Sequence, residues 1–545
     1  MAMDKRTENL VVALLFLGFA QIYIATAPFS IPLAYDDGVM LRVSLGFWKA
    51  LTGAQSAGDI AFSKFGLGQS LIILAAAPAY LRASSAQHIG EYVPYLLSCY
   101  LPPVFIGSSI VALTFKLCLR YGHGPQVSAG AAIATGAGTM IWPYSHTFFS
   151  ESTIALCLLA AVYFAKTGDE PRRPHWLNGA LAGTALGWVM LTKISYAPAA
   201  LFIAIYYFHR EWASSRRRVF PSAAAFLAPV AALMALALYY NHIRFGHGFH
   251  FGYGADIPRG AFISNDNSGR DMIFGFNSPL FFGLYGLTLG SGKSFFLYNP
   301  FLILALWGIR GFYRQHRADA ILFGSITASV LITFSMWWAW HGDVAWGPRF
   351  LLPLAPFMSL VAAGAVRDAA NAVTGRWRIA YAAAGLVLVS ISAAVQIAGV
   401  WVPLESFKRI AAKSAPSMRP PVYNPNGWTI VDDGVMEHYL PQFSPVTGNM
   451  WMMRLLGQQN GPGLDDVLAN PPWISLNPGW TVKKSDLTPD LLKYKIWWME
   501  IDRRFPEIAS VYKGMAFSLI ISAFSLLGLA LHYSTPREPE QKISA

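Results

Sequence analysis

Tyr35-Asp36-Asp37 sets two adjacent carboxylates just beyond an apolar run that ends at Ala27. An ionisable residue beside such a run is expensive to bury, so by default it marks a site. Two roles fit the pair. One is general base chemistry, in which an aspartate fixed at a helix start takes a proton from an attacking group. The plainer one is an N-cap, with Asp37 opening a helix over residues 38–51 and its charge set against the exposed N–H groups. Asp37 is slightly favoured as the base because it lies nearer that helix start. A second polar cluster reads Trp337-Trp338-Ala339-Trp340-His341-Gly342-Asp343-Val344-Ala345-Trp346-Gly347-Pro348-Arg349. Its four tryptophans make an aromatic belt. His341 and Asp343 between them are candidates for touching a substrate, and the Arg349 fork suits a phosphate bidentately. His146 and Glu151, in PYSHTFFSES, are further substrate-side candidates, with structural hydrogen bonding as their plainer role.

Other motifs carry less. GLTLGSGKS (286–294) resembles a phosphate loop, but counting back from Gly292 places Leu287 where the first glycine must stand, so no nucleotide site is expected. Lys293 in that turn remains a candidate for an anionic lipid head group. DDGVM occurs at 36–40 and again at 432–436 without surrounding similarity, and nothing is built on it. Cys99, Cys118 and Cys157 all fall in or beside apolar segments, which fits packing rather than a disulfide framework or a metal cluster.

The elements that must position these residues follow from composition. The chain has 545 residues, 54% hydrophobic and 13% charged, with a mean hydropathy of +0.40. That is roughly half the charge of soluble domains, which carry about 25%. The net charge of +12 would point to nucleic acid in a soluble chain. Here basic residues gather at the cytoplasmic ends of spans, and no nucleic-acid partner is expected. The sequence predicts an all-α polytopic membrane protein with about twelve spans. They lie at 10–27, 94–116, 125–142, 149–166, 177–192, 195–209, 219–240, 295–312, 319–338, 350–366, 379–402 and 508–532. One set of loops holds Lys116, Arg120, Lys166, Arg172, Arg173, Arg210, Arg216, Arg217, Arg218, Arg310, Arg314, Arg317, Arg367, Arg376 and Arg378. The short opposite hairpins hold only Lys193 and Arg349, so both termini are expected in the cytoplasm.

Three expected units follow: a transmembrane core at 1–403, an outer polar region at 404–507, and a last span with a cytoplasmic tail at 508–545. The first outer loop, 29–93, should carry an amphipathic juxtamembrane helix and then a second juxtamembrane or re-entrant helix. Residues 38–51 place Met40, Val43, Phe47 and Leu51 at helical spacing with Arg42 and Lys49 opposite, and 64–82 is apolar but interrupted by Gly66, Gly68 and Pro78.

In order along residues 1–366, the acidic pair, SKFGLGQSL (63–71), FFSESTIALCLLAAVYF (148–164), GWVMLTK (187–193), KSFFLYNPFLILAL (293–306) and WGPRFLLPLAPF (346–357) together resemble the GT-C class of integral-membrane glycosyltransferases. The likeness is to the group that includes aminoarabinose transferases and protein O-mannosyltransferases. The resemblance implies transfer of a sugar from a polyprenyl-phosphate carrier to a glycan, lipid or protein acceptor at the outer face of a bacterial inner membrane. It implies Asp36 or Asp37 as base or acceptor-positioning residue, Lys64 as a phosphate ligand and Arg42 as its helper. It leaves a divalent cation beside the acidic pair open. The sequence departs from the family in having Asp-Asp for Asp-Glu, and Phe65-Gly66 where a proline often follows the lysine, so the acceptor and the choice of base stay open. No nucleotide cofactor is needed. The competing class is a transporter or flippase of a lipid-linked sugar, but it should show an internal repeat and mid-membrane ionisable residues. Neither is seen.

Overall fold

The computed structural model describes residues 3–31, 36–56, 58, 60, 62–166, 174–214, 219–252, 276, 278–342, 345–372, 375–415 and 438–535; within these, the side chains of Asp37, His175, Ala370, Asn371, Ala372 and Arg378 stand outside the description. The first helices are α1 (Lys5–Ala25), α2 (Asp36–Leu51), α3 (Leu67–Ile73), α4 (Ala77–Ser85), α5 (Ile89–Cys99), α6 (Leu101–Arg120), α7 (Pro125–Gly138), α8 (Ile141–Tyr144), α9 (Ser150–Lys166), α10 (His175–Thr192), α11 (Ala197–Ser214) and α12 (Val219–Phe245). Then come α13 (Leu280–Thr288), α14 (Phe295–Tyr298), α15 (Ile303–Gln315), α16 (Arg317–Ser335), α17 (Leu354–Ala372), α18 (Arg376–Trp401) and α19 (Leu404–Ser414). The last are α20 (Pro445–Gln458), α21 (Leu464–Ala469), α22 (Trp497–Arg504) and α23 (Ala509–Tyr533).

Six of the described helices are long and apolar enough to cross a membrane: Lys5–Ala25, Leu101–Arg120, Val219–Phe245, Arg317–Ser335, Ile379–Trp401 and Ala509–Tyr533. Several of the twelve expected spans are shorter or broken. The segment expected to cross at 295–312 is interrupted by a 3-10 turn at Pro300–Leu302. Proline removes an N–H and cannot continue a helix interior, and side chains take over the exposed backbone. Ser392 accepts from the Phe301 N–H (2.8 Å), Gln396 donates to the Tyr298 carbonyl, and Asn299 accepts from the Met140 N–H at 2.9 Å. The span expected at 94–116 is likewise divided at Tyr100, ahead of Pro102 and Pro103. Residues 67–85 form two helices joined by a 3-10 turn at Leu74–Ala76, where the sequence suggested one juxtamembrane or re-entrant helix at 64–82.

The core gathers around α1, α6, α7, α9 and α17. Tyr23 is fully buried and donates to the Gly136 carbonyl at 2.9 Å, where the missing Cβ lets Phe19 and Val111 close in. At the end of the bundle where α1 begins, Lys116 lies 3.6 Å from Glu8. At the ends of α6, α9 and α11, Asp319 accepts from the Tyr121 and Tyr206 hydroxyls (2.9 and 2.6 Å) and from Lys166 (3.2 Å). A buried carboxylate with three donors is a satisfied structural hub.

The polar stretch 404–507 builds a small core of its own among its described residues. Trp473 stacks on Phe443 (5.6 Å), touches Phe407 and Trp451, and donates to the Trp480 carbonyl at 2.8 Å. Its final helix returns to the bundle: Trp497 and Trp498 donate to the Ile24 and Ala25 carbonyls, each at 3.0 Å. These indoles fill the carbonyl positions that the end of α1 leaves open.

Candidate active site

The site lies at the end of the bundle opposite Asp319, where α2 and α3 dock near the start of α9 and the end of α10. Ser44 donates to the Ser70 carbonyl (2.7 Å) and Ser70 to the Met40 carbonyl (3.2 Å), locking α2 against α3. Gln69 then ties α3 to α9, accepting from Thr153 (2.7 Å) and donating to the Phe148 carbonyl (3.0 Å). Gly66 and Gly68 have a packing reason. A Cβ on Gly66 would stand 2.5 Å from the Leu191 carbonyl, and one on Gly68 would strike the Thr192 hydroxyl. The glycines let the Lys64 loop rest directly on the turn that carries Lys193.

Two ion pairs meet there. Arg349 donates through Nη2 to Asp36 Oδ2 at 2.8 Å, across 313 residues of sequence. Its guanidinium is buried over the rings of Phe149 (4.6 Å) and Phe350 (4.9 Å). Gly342, at φ +73°, passes so close to it that a Cβ would lie 2.8 Å from Arg349 Cγ. Below this pair, Lys193 donates to Glu151 Oε1 at 2.7 Å, its ammonium 4.3 Å from the centre of the Phe350 ring. The Glu151 side chain is 1% exposed. Burial pushes the Asp36 carboxyl up, but the Arg349 charge and hydrogen bond, with Lys64 and Lys193 behind them, hold it below the usual carboxylate value. Lys64 and Lys193 also line one cavity with Gly66, Ser150, Tyr240 and Arg244; Asp36, Arg349 and Glu151 are not in its lining and join it through Lys193, which holds Glu151.

The structure brings together Asp36, Arg349, Glu151 and Lys64 of the residues singled out in the sequence. The Asp37 side chain and Asp343 lie outside the described residues. Lys293 is fully buried and donates to the Ala345 (2.8 Å) and Gly347 (3.4 Å) carbonyls; it does not line the cavity. Its ammonium staples the tryptophan-rich hairpin. His146 donates through Nε2 to the Tyr23 carbonyl (2.7 Å), and the same nitrogen lies 3.3 Å from the Thr26 hydroxyl. Burial, aided by Lys495, pushes its imidazole down to about 3, so the ring is neutral and structural. His341 stacks on His438 at 4.5 Å and edges Trp340, one residue from the glycine that touches Arg349. Arg42 does not line the cavity, and its Nε is buried without an acceptor among the described residues. The Nε of Arg349 is in the same state.

Lys193 is the residue that sequence reasoning passed over. The signal was present: with Arg349 it is one of two basic residues in hairpins that otherwise hold none. Among the described residues, no group of three or more His, Cys, Asp or Glu side chains converges as metal ligands do.

No protein-family model and no curated protein matches the chain. Among solved structures, the chain is similar to the crystal structure of ArnT from Cupriavidus metallidurans bound to undecaprenyl phosphate, at 13% identity and a TM-score of 0.47, over 96% of this chain and 77% of that one.

Proposed function

We propose that the protein is a membrane glycosyltransferase that moves a sugar from a polyprenyl-phosphate carrier to an acceptor at the outer face of a bacterial inner membrane. The observation that carries this reading is a set of cations gathered around one carboxylate. Arg349 meets Asp36 at 2.8 Å, Lys193 meets Glu151 at 2.7 Å beside it, and Lys64, Lys193 and Arg349 all act on Asp36. Arg349 Nε is a further donor, buried without an acceptor among the described residues. Charge gathered at the edge of an apolar bundle marks a functional site, and a phosphate monoester or diester at a bilayer surface suits it.

The chemistry follows from the arrangement. The anomeric C–O bond to phosphate breaks as the acceptor attacks from the opposite face, inverting the centre. Asp36 takes the acceptor's proton, and the lipid phosphate leaves with its charge held by Lys64, Lys193 and Arg349. In the resting site the three cations make Asp36 a weak base. A bound phosphate offsets those same cations, so donor binding raises the basicity of Asp36 where and when it is needed. The acceptor is a glycan, lipid or protein group that offers a hydroxyl or amine.

The test is transfer of labelled sugar from polyprenyl-phosphate donors by protein in proteoliposomes. Wild type should transfer and Asp36→Asn should not. Absence of both transfer and polyprenyl-phosphate binding in the wild type overturns the reading.

A further inference from the structure

Arg244 stands at the end of α12 and its guanidinium faces backbone. Nη1 donates to the carbonyls of Ser63 (2.8 Å) and Phe65, and Nη2 donates to Asn241 Oδ1 at 2.6 Å. The guanidinium lies 4.5 Å from the Tyr240 ring and 4.4 Å from the Phe245 ring. Asn241 is itself buried and anchored, its amide donating to the Gly248 carbonyl at 2.9 Å. The two carbonyls that Nη1 holds belong to the residues on either side of Lys64. The carbonyl of Lys64 is closed off from another direction by Gly252, whose φ of +79° suits glycine and whose Cβ, if present, would strike that oxygen. Gly66, two residues beyond Lys64, sits against the Leu191 and Thr192 carbonyls. The peptide on both sides of Lys64 is thus fixed by residues from three remote segments. Its side chain has four rotatable bonds of its own, so the backbone anchor sets where the ammonium can reach.

We propose that Arg244 is a positioning residue: it aims Lys64 into the cavity through the two flanking carbonyls and does not itself bind the anionic substrate. This rests on the reading of the cavity as a polyprenyl-phosphate site. An arginine suits the task because its planar fork presents fixed donors, whereas a lysine at the same place offers one rotating ammonium. The main alternative is that Arg244 meets the phosphate directly, since it too lines the cavity. The two roles differ in whether its effect passes through Lys64.

The first experiment needs no ligand. Purified protein in lipid nanodiscs is treated with an amine-acylating reagent, and the labelling rate of each lysine is read by peptide mass spectrometry. Arg244→Gln and the milder Asn241→Ala should each raise labelling at Lys64 at least threefold, with Lys408 on α19 unchanged. An unchanged Lys64 rate in both variants overturns the proposal whether or not the protein transfers sugar. The second is a double-mutant cycle in binding of undecaprenyl phosphate, measured by native mass spectrometry. Arg244→Gln should weaken binding about tenfold in the wild-type background and less than twofold in Lys64→Ala. Equal losses in both backgrounds mean direct phosphate contact and overturn the positioning role. Wild-type protein that takes up no undecaprenyl phosphate overturns the substrate reading, while the labelling result still decides the role of Arg244.

Discussion

Lys193→Met isolates the buried pair beneath the site. The substitution keeps the length and apolar stem of the side chain but removes the cation that Glu151 meets at 2.7 Å. Breaking a buried ion pair on one side costs about 3–5 kcal/mol, because the remaining charge is stranded. The lower end applies, since Arg349 still acts on Glu151 from nearby, although its Nη2 is engaged by Asp36. The loss should therefore be about 3 kcal/mol, read as a shift in the unfolding midpoint during SDS titration in mixed micelles. Adding Glu151→Gln removes the stranded charge and should bring stability back to within about 1 kcal/mol of wild type, because neutral replacement of both partners is close to neutral overall. Turnover should not return with it, since the double variant folds but lacks a cation facing the phosphate. Wild-type stability in Lys193→Met, or full activity in the double variant, would refute this account of the pair.

Asp36→Asn should lower kcat by about 10²–10⁴ without raising KM, because Arg349 loses its carboxylate partner and keeps its charge for the donor. A kcat within threefold of wild type removes Asp36 as the base and passes the role to Asp37. The pH profile carries a second signature. Asp36 is held below the usual carboxylate value in the free protein, so its ionised form persists as pH falls and is lost only through that depressed pKa. Bound phosphate offsets the cations responsible, so the acid limb of kcat should lie at higher pH than that of kcat/KM; the reverse order contradicts the scheme. Gly68→Ala should destabilise by about 1–3 kcal/mol, since its Cβ must displace Thr192, and should weaken donor binding by lifting Lys64; thermal unfolding and lipid binding report the two effects. A cysteine placed beside Gly461 should react with an impermeant thiol reagent in intact cells, and one after Ser534 should not. Labelling at the tail alone inverts the orientation.

The sequence made the chemistry-bearing residues legible as charged exceptions among apolar segments, but not the identity of each polar partner. Asp36 and Arg349 stood out because charges rare beside apolar runs must find partners, and Lys64 entered through the family resemblance. The same logic applied equally to Lys293 and His146, and there it failed. Their partners are backbone carbonyls at Ala345, Gly347 and Tyr23, and every residue carries a carbonyl, so no sequence pattern marks which ones are open. Lys193 was visible as an exception to the charge asymmetry, yet its importance depends on Glu151, 42 residues away on another helix. Helix existence was legible from apolar periodicity. The breaks at Tyr100 and Pro300 were signalled by their prolines, but hydropathy averages over such breaks, so 94–116 and 295–312 read as continuous.

The glycines of α10 give the neighbouring helix a mechanical part. Gly179, Gly183 and Gly187 let α12 approach so closely that added methyl groups would press on Ser222, Phe226 and Pro229 backbone oxygens. Pressed backbone to backbone, the two helices tilt as a unit, while little of α12 is buried along its length. A bilayer too thin or too thick for this 27-residue helix is relieved by tilt. Because α12 ends in Asn241 and Arg244, tilt at its exposed flank is delivered as displacement at the wall of the cavity. Acyl-chain length thereby becomes an input to the site, and turnover in reconstituted membranes should peak at one bilayer thickness.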